Sequence, residues 1–105
     1  MERMSDPTGQ IVLATAGRDR DGLYCVVGTD PARQMLLLAD GKRRRAARPK
    51  AKKARHVRPA DGLRPGFDHP TIQKLKEGTP VSDRELRRAL AAFKEGITLG
   101  ERRYD

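Results

Sequence analysis

The sequence predicts a mainly β fold: a small SH3-like barrel of five short strands that carries a C-terminal appendage of one or two helices. Three observations lead there. Short runs of β-branched and aliphatic residues alternate with turns rich in Gly and Asp as far as Asp40, the pattern of a β-meander. Beyond Pro59 the composition shifts to linker chemistry and then to helical periodicity. The chain has 105 residues, of which 36% are hydrophobic, enough for one modest core and no large cleft.

Residues 1–8 are expected to be a flexible lead, with Pro7 and Gly9 marking where order begins. Residues 10–16 (QIVLATA) read as the first strand, ending at the turn Gly17-Arg18-Asp19-Arg20-Asp21-Gly22. Residues 23–29 (LYCVVGT) form the second strand. After the break Asp30-Pro31-Ala32-Arg33, residues 34–40 (QMLLLAD) form the third. Asp40-Gly41 is a strong turn signal. A fourth strand at 42–47 and a fifth at 54–57, joined by a loop at 49–53, complete the set. Closing the five into a barrel removes the free edges of an open sheet.

A linker is expected over 60–69, where Asp61-Gly62 and Pro65-Gly66 fall. The barrel thus spans 9–59 and the appendage 70–105. Residues 70–77 (PTIQKLKE) read as a short helix, with Asp68 as N-cap and Gly78 as its stop. Residues 82–95 carry the clearest signal in the chain. Ser82 and Glu85 are spaced as a capping box, and Val81 and Leu86 as a hydrophobic staple. Leu86, Ala89, Leu90 and Phe93 then make one apolar stripe, with Gly96 closing the helix. Arg84, Arg87, Arg88 and Lys94 occupy its other face.

The formal net charge is +9, and it is concentrated. Residues 42–58 contain ten Lys or Arg and no Asp or Glu, whereas the rest of the chain is nearly neutral. An unneutralised cluster of that density points to a polyanion, because each cation that meets a phosphate releases condensed counterions. Arg43, Arg44, Arg45 and Arg48 can engage phosphates with two donors at once. Lys42, Lys50, Lys52 and Lys53 act as point charges, and Arg55, His56 and Arg58 continue the run. Aromatic residues make up 4% of the chain, so a platform for stacking unpaired bases is not expected. Recognition through backbone and shape is.

Residues 9–19 (GQIVLATAGRD), 23–28 (LYCVVG) and 37–42 (LLADGK) together resemble a KOW-motif domain. The chain is similar in particular to small bacterial KOW proteins related to large-subunit ribosomal proteins of archaea and eukaryotes. The resemblance covers 9–59, about half the chain. It implies an SH3-like barrel that binds structured RNA, chiefly ribosomal RNA, without a cofactor. Charge alone does not separate RNA from DNA; the resemblance does. Where the family usually places a glycine and then a basic residue, this chain has Asp21 and Gly22, so Arg18 and Arg20 have to supply phosphate contacts from that turn.

Catalysis is not expected. Cys25 sits in an apolar strand without a neighbouring base and reads as a packing group. Asp19 and Asp21 shape their turn, Tyr24 lines the barrel, and His69 starts a helix. Two histidines and one cysteine so far apart make no zinc pattern, and neither glycine-rich phosphate-loop motif occurs. A single cysteine and a polar start to the chain fit a cytoplasmic protein. The basic run has little apolar face for a membrane. A second function remains open, that of a protein-interaction adaptor using the SH3-like barrel and the amphipathic helix 82–95, whose stripe would lie in a partner's groove.

Overall fold

The computed structural model describes residues 6–102. Five antiparallel strands, β1 (Ile11–Ala14), β2 (Leu23–Asp30), β3 (Met35–Ala39), β4 (Lys50–Lys53) and β5 (Val57–Pro59), form one sheet in the order β4-β3-β2-β1-β5. Two helices follow, α1 (Pro70–Lys76) and α2 (Asp83–Arg102). Part of the expected flexible lead, 1–5, lies outside the described residues. The remainder is a bonded turn, in which Thr8 donates to Asp6 and Gln10 N–H to Pro7 O.

The first three strands form where their β-rich runs predict them, because the turns between them have the required chemistry. Gly17 and Asp21 both take positive φ between β1 and β2, and Gln34 does so before β3. An irregularity at Val26–Gly28 places one extra residue of β2 against β3, which sharpens the local twist.

The expected fourth and fifth strands are displaced. Residues 42–47 form a loop, and the stretch expected to be a loop, 49–53, supplies β4. Asp40 causes this: its carboxylate accepts the N–H groups of Lys42 and Arg44, while Arg44 O accepts those of Asp40 and Gly41. The chain cannot extend until that knot is passed. Residues 54–56 are a 3-10 turn, so β5 starts only at Val57. The five strands form an open sheet and not the expected closed barrel, since no ladder joins β4 to β5 among the described residues. The 3-10 turn spans that gap, with Ala54 N–H bonded to Gln34 O and Thr15 N–H bonded to His56 O.

The sheet is nevertheless strongly curled. Val12, Ala14, Tyr24, Val26, Leu36 and Leu38 pack with Val57 on its inner side, although β3 and β5 are not neighbours in the ladder. Its outer side supplies Ile11, Cys25 and Ala39 to a second cluster, completed by Ile72, Leu75, Leu86, Leu90 and Phe93 of the helices. The helices therefore share a core with the sheet. Residues 60–69 are held in place as well: Ala60 is buried and donates to Ile11 O, Arg64 Nη1 donates to Ala92 O at 2.8 Å, and Phe67 meets Phe93 edge-on at 5.2 Å.

Helix α1 is capped by His69, whose Nδ1 accepts Thr71 N–H, and not by Asp68, which binds His69 N–H and Gln73 Nε2 instead. The capping box of α2 forms as spaced, with Ser82 N–H to Glu85 Oε1 at 2.9 Å and Glu85 N–H to Ser82 Oγ at 3.1 Å. Gly96 does not end α2, which continues to Arg102. The glycine serves a close approach, because a Cβ there would collide with the Arg64 side chain. Replacing Ser82 by alanine removes one capping bond and is expected to cost about 1 kcal/mol, read as a lower urea midpoint at unchanged m-value.

Candidate nucleic-acid interface

The turn between β1 and β2 closes on itself, with Arg20 N–H bonded to Gly17 O, Gly22 N–H to Asp19 O and Asp21 N–H to Ala14 O. That closure leaves Arg18 and Arg20 exposed and turns the Asp19 carboxylate inward, where it is almost fully buried. Three groups meet it there. Arg44 donates from Nη2 at 3.0 Å and from Nε at 3.2 Å, Lys52 Nζ lies at 3.4 Å, and Tyr24 OH donates at 3.3 Å. Burial by itself would raise the Asp19 pKa. The hydrogen bonds and charges of Arg44 and Lys52 more than offset that and hold it below the usual carboxylate value.

These bonds decide what two of the predicted binding residues do. Lys52 pairs with Leu36 across β3 and β4, so its side chain shares the inner face with the apolar cluster. At 8% exposure it is a structural cation rather than a phosphate contact. Arg44, one-third exposed, fastens the loop between β3 and β4 to the turn between β1 and β2.

The arginine loop is anchored at further points. Ala46 N–H donates to Asp83 Oδ1 at 2.7 Å, and Arg87 Nη1 donates to Gly41 O at 2.6 Å, both at the start of α2. Gly41 is buried with φ of 78° against the Asp83 carbonyl. Residues 40–46 are thus a fixed platform and not a charged tail, which is the bland reading of any basic run.

Ten predicted contacts are exposed: Arg18, Arg20, Lys42, Arg43, Arg45, Arg48, Lys50, Lys53, Arg55 and Arg58. His56 is half-buried. The Asp19–Arg44 pair unites Arg18 and Arg20 with Lys42, Arg43 and Arg45 at one end of the sheet. The bond from Thr15 to His56 O brings the 3-10 turn of Arg55 and His56 alongside the start of the turn between β1 and β2. Lys53 and Arg58 flank that 3-10 turn, Lys53 ending β4 level with Met35 and Arg58 in β5 level with Leu13. Arg48 is tied to this group only through its backbone N–H, bonded to Arg45 O, and Lys50 is level with Leu38 at the start of β4.

Sequence reasoning missed two contributors. Asp19 was expected only to shape its turn, and Arg87 was placed only on the polar face of its helix; neither spacing nor composition connects them to a loop more than twenty residues away. An aspartate between two arginines in a short turn was the one available signal.

Tyr24 lines the inner cluster at 1% exposure, so it packs and does not present a stacking face. Cys25 is fully buried on the other side of the sheet, and burial, aided by the Asp40 charge, pushes its thiol up to about 12. A neutral, enclosed thiol is a poor nucleophile. The folded chain is therefore expected to resist a thiol reagent at pH 8 and to label only on denaturation; prompt labelling in native buffer would contradict the burial. Among the described residues no cluster of His, Cys, Asp or Glu is placed to hold a metal, and no helix is long and apolar enough to cross a membrane. The chain matches no protein-family model and no curated protein.

Proposed function

We propose that this chain is a non-catalytic, cytoplasmic RNA-binding protein of KOW type. In this reading a curled, SH3-like barrel presents one cationic end to the phosphates of structured RNA, ribosomal RNA being the first candidate. One observation carries the proposal: Lys42, Arg43 and Arg45 are exposed on a loop whose neighbouring carboxylates are already occupied. Asp40 and Asp83 accept backbone N–H groups, and Asp19 holds Arg44 and Lys52. Among the described residues Arg43 touches the Tyr24 hydroxyl but no carboxylate, so the exposed cations are left to an outside anion, on a loop whose backbone is fixed before binding.

The barrel reading draws on curvature. Lys52 lies on an edge strand, yet it reaches a turn two to three strand spacings away, about 10–14 Å across a flat sheet and beyond the length of a lysine side chain. Only a sheet bent nearly onto itself brings the two together.

The adaptor reading loses the helix stripe as a docking surface, because Leu86, Ala89, Leu90 and Phe93 of α2 are at most 3% exposed within the chain's own core, and would have to rest on the sheet alone. The same burial makes deletion of the helices uninformative, as it would strip the outer face of the sheet.

The test is binding to a structured ribosomal RNA fragment, followed by fluorescence anisotropy as salt is raised. About six phosphate contacts would weaken affinity roughly a thousandfold between 50 and 200 mM salt. Substituting Arg43→Ala with Arg45→Ala is expected to cost roughly tenfold or more in affinity while the cooperative thermal melt is kept, because the Tyr24 hydroxyl that Arg43 touches retains Asp19 as its acceptor. Arg44 is left out of the substitution because it pairs with Asp19. Affinity indifferent to salt, or to the double substitution, would remove the proposal.

A further inference from the structure

The first two turns of α2 carry Arg84, Arg87 and Arg88, all exposed. For an isolated helix these are poor choices. Arg84 stands in the first turn, where the helix dipole disfavours a cation, and Arg88 is its like-charged neighbour four residues on. Nothing among the described residues offsets them: Glu85 is turned to Lys74 and the Ser82 N–H, and Asp83 is turned to Ala46. The helix itself is served by its capping box and buried stripe, and of the three only Arg87 bonds within the fold, to Gly41 O, so Arg84 and Arg88 do not serve folding.

Their position is informative. Arg87 bonds Gly41 O and Asp83 bonds Ala46 N–H, so this side of α2 lies against the arginine loop. At 100° per residue, Arg84 falls about 60° from Arg87 and Arg88 about 40° beyond Arg84, on the side away from Leu86 and Leu90. The exposed cations then run without interruption from Arg43 and Lys42 across Arg87 to Arg84 and Arg88. Among the described residues no Phe or Tyr ring is available along this path, because Tyr24 and Phe93 are buried and Phe67 is stacked on His69 and packed on Phe93. A ligand here is read by its phosphates and its shape, not by stacking of its bases.

We infer that loop 40–48 and the first two turns of α2 form one cationic band that seats across both phosphate strands of an RNA double helix. The inference rests on the RNA-binding reading above and adds to it a second element and a class of RNA. Two rigid elements set side by side suit the fixed spacing of phosphates on two strands. A single strand, able to follow either element alone, gains little from the second.

The experiment compares a short RNA duplex with one of its strands, using the full chain and the substitution Arg84→Ala with Arg88→Ala. Both side chains are exposed, so circular dichroism and the melting temperature should match the unsubstituted protein. The unsubstituted chain is expected to prefer the duplex, and the substitution to weaken duplex binding roughly five- to tenfold. It should also reduce the slope of log K against log salt by about 2, one phosphate contact for each arginine. A chain that binds RNA and weakens on Arg43→Ala/Arg45→Ala, but keeps its duplex affinity and slope without Arg84 and Arg88, overturns this inference and leaves the proposed function standing. Equal weakening of duplex and single strand overturns the double-helix assignment. Failure of the unsubstituted chain to bind either RNA removes both readings.

Discussion

Replacing Asp19 by alanine is expected to destabilise the protein by about 3 kcal/mol, a large share of the roughly 5–15 kcal/mol that holds a domain of this size together. The carboxylate is almost fully buried and faces two cations, of which Lys52 is itself buried. Its removal leaves an unpaired ammonium against the apolar inner cluster, along with a Tyr24 hydroxyl that has lost its acceptor. Arg44 is one-third exposed and can turn to water, which keeps the expected loss near the lower end for a broken buried pair. In a thermal melt this corresponds to a drop of about 15 °C.

Two companions of that experiment test the cause. Because the cations hold the Asp19 pKa below its ordinary value, the stability it confers is complete above the unfolded pKa of about 3.9. It is lost as pH falls through the lower, folded value. The stability gap between the protein and an Asp19→Asn variant should therefore be wide near neutrality and narrow below about pH 4. A gap independent of pH would mean that the carboxylate charge is not the source. Combining Asp19→Ala with Lys52→Met should cost less than the sum of the single changes, since the stranded ammonium is gone; strict additivity would show that the two groups do not interact.

The second large effect is expected from Gly41→Ala. The residue has φ of 78°, which costs a side chain about 1–2 kcal/mol. The new Cβ would also collide with the Asp83 carbonyl oxygen. Asp83 has no easy retreat, being tied through its carboxylate to Ala46 and through its position to the capped start of α2. Displacing the loop relieves the clash but gives up the bond from Arg87 to Gly41 O, so about 3 kcal/mol in all is expected. Urea denaturation reads that figure. The same variant should bind RNA more weakly than Arg43→Ala/Arg45→Ala alone predicts, because all the loop arginines shift together. Wild-type stability in Gly41→Ala would show that the loop does not bear on α2 as described.

Local information ends where an element depends on partners remote in the chain. Strands β1 to β3 and the start of α2 were legible from side-chain runs, turn residues and the Ser82–Glu85 spacing, all of which act within a few positions. β4 was not legible. Its sequence, Lys-Ala-Lys-Lys, has neither β-branched residues nor a clear alternation, and it becomes a strand only because Met35–Leu38 offers a free edge once the Asp40 knot is passed. Gly96 reads as a stop signal, yet α2 runs through it, and the glycine instead leaves room for the Arg64 side chain.

The site divides along the same line. Composition alone established that ten cations fall within 42–58 with no acid among them, because charge is a property of residues and survives any fold. Tertiary structure alone decided which of them serve the interior. Lys52 and Lys53 are chemically identical neighbours, yet the register on β3 turns Lys52 inward to Asp19, 33 positions earlier in the chain, and leaves Lys53 exposed. Strand side chains alternate between faces, so shifting the register by one residue would exchange their roles. That register is set by partners remote in sequence, and no local pattern records it.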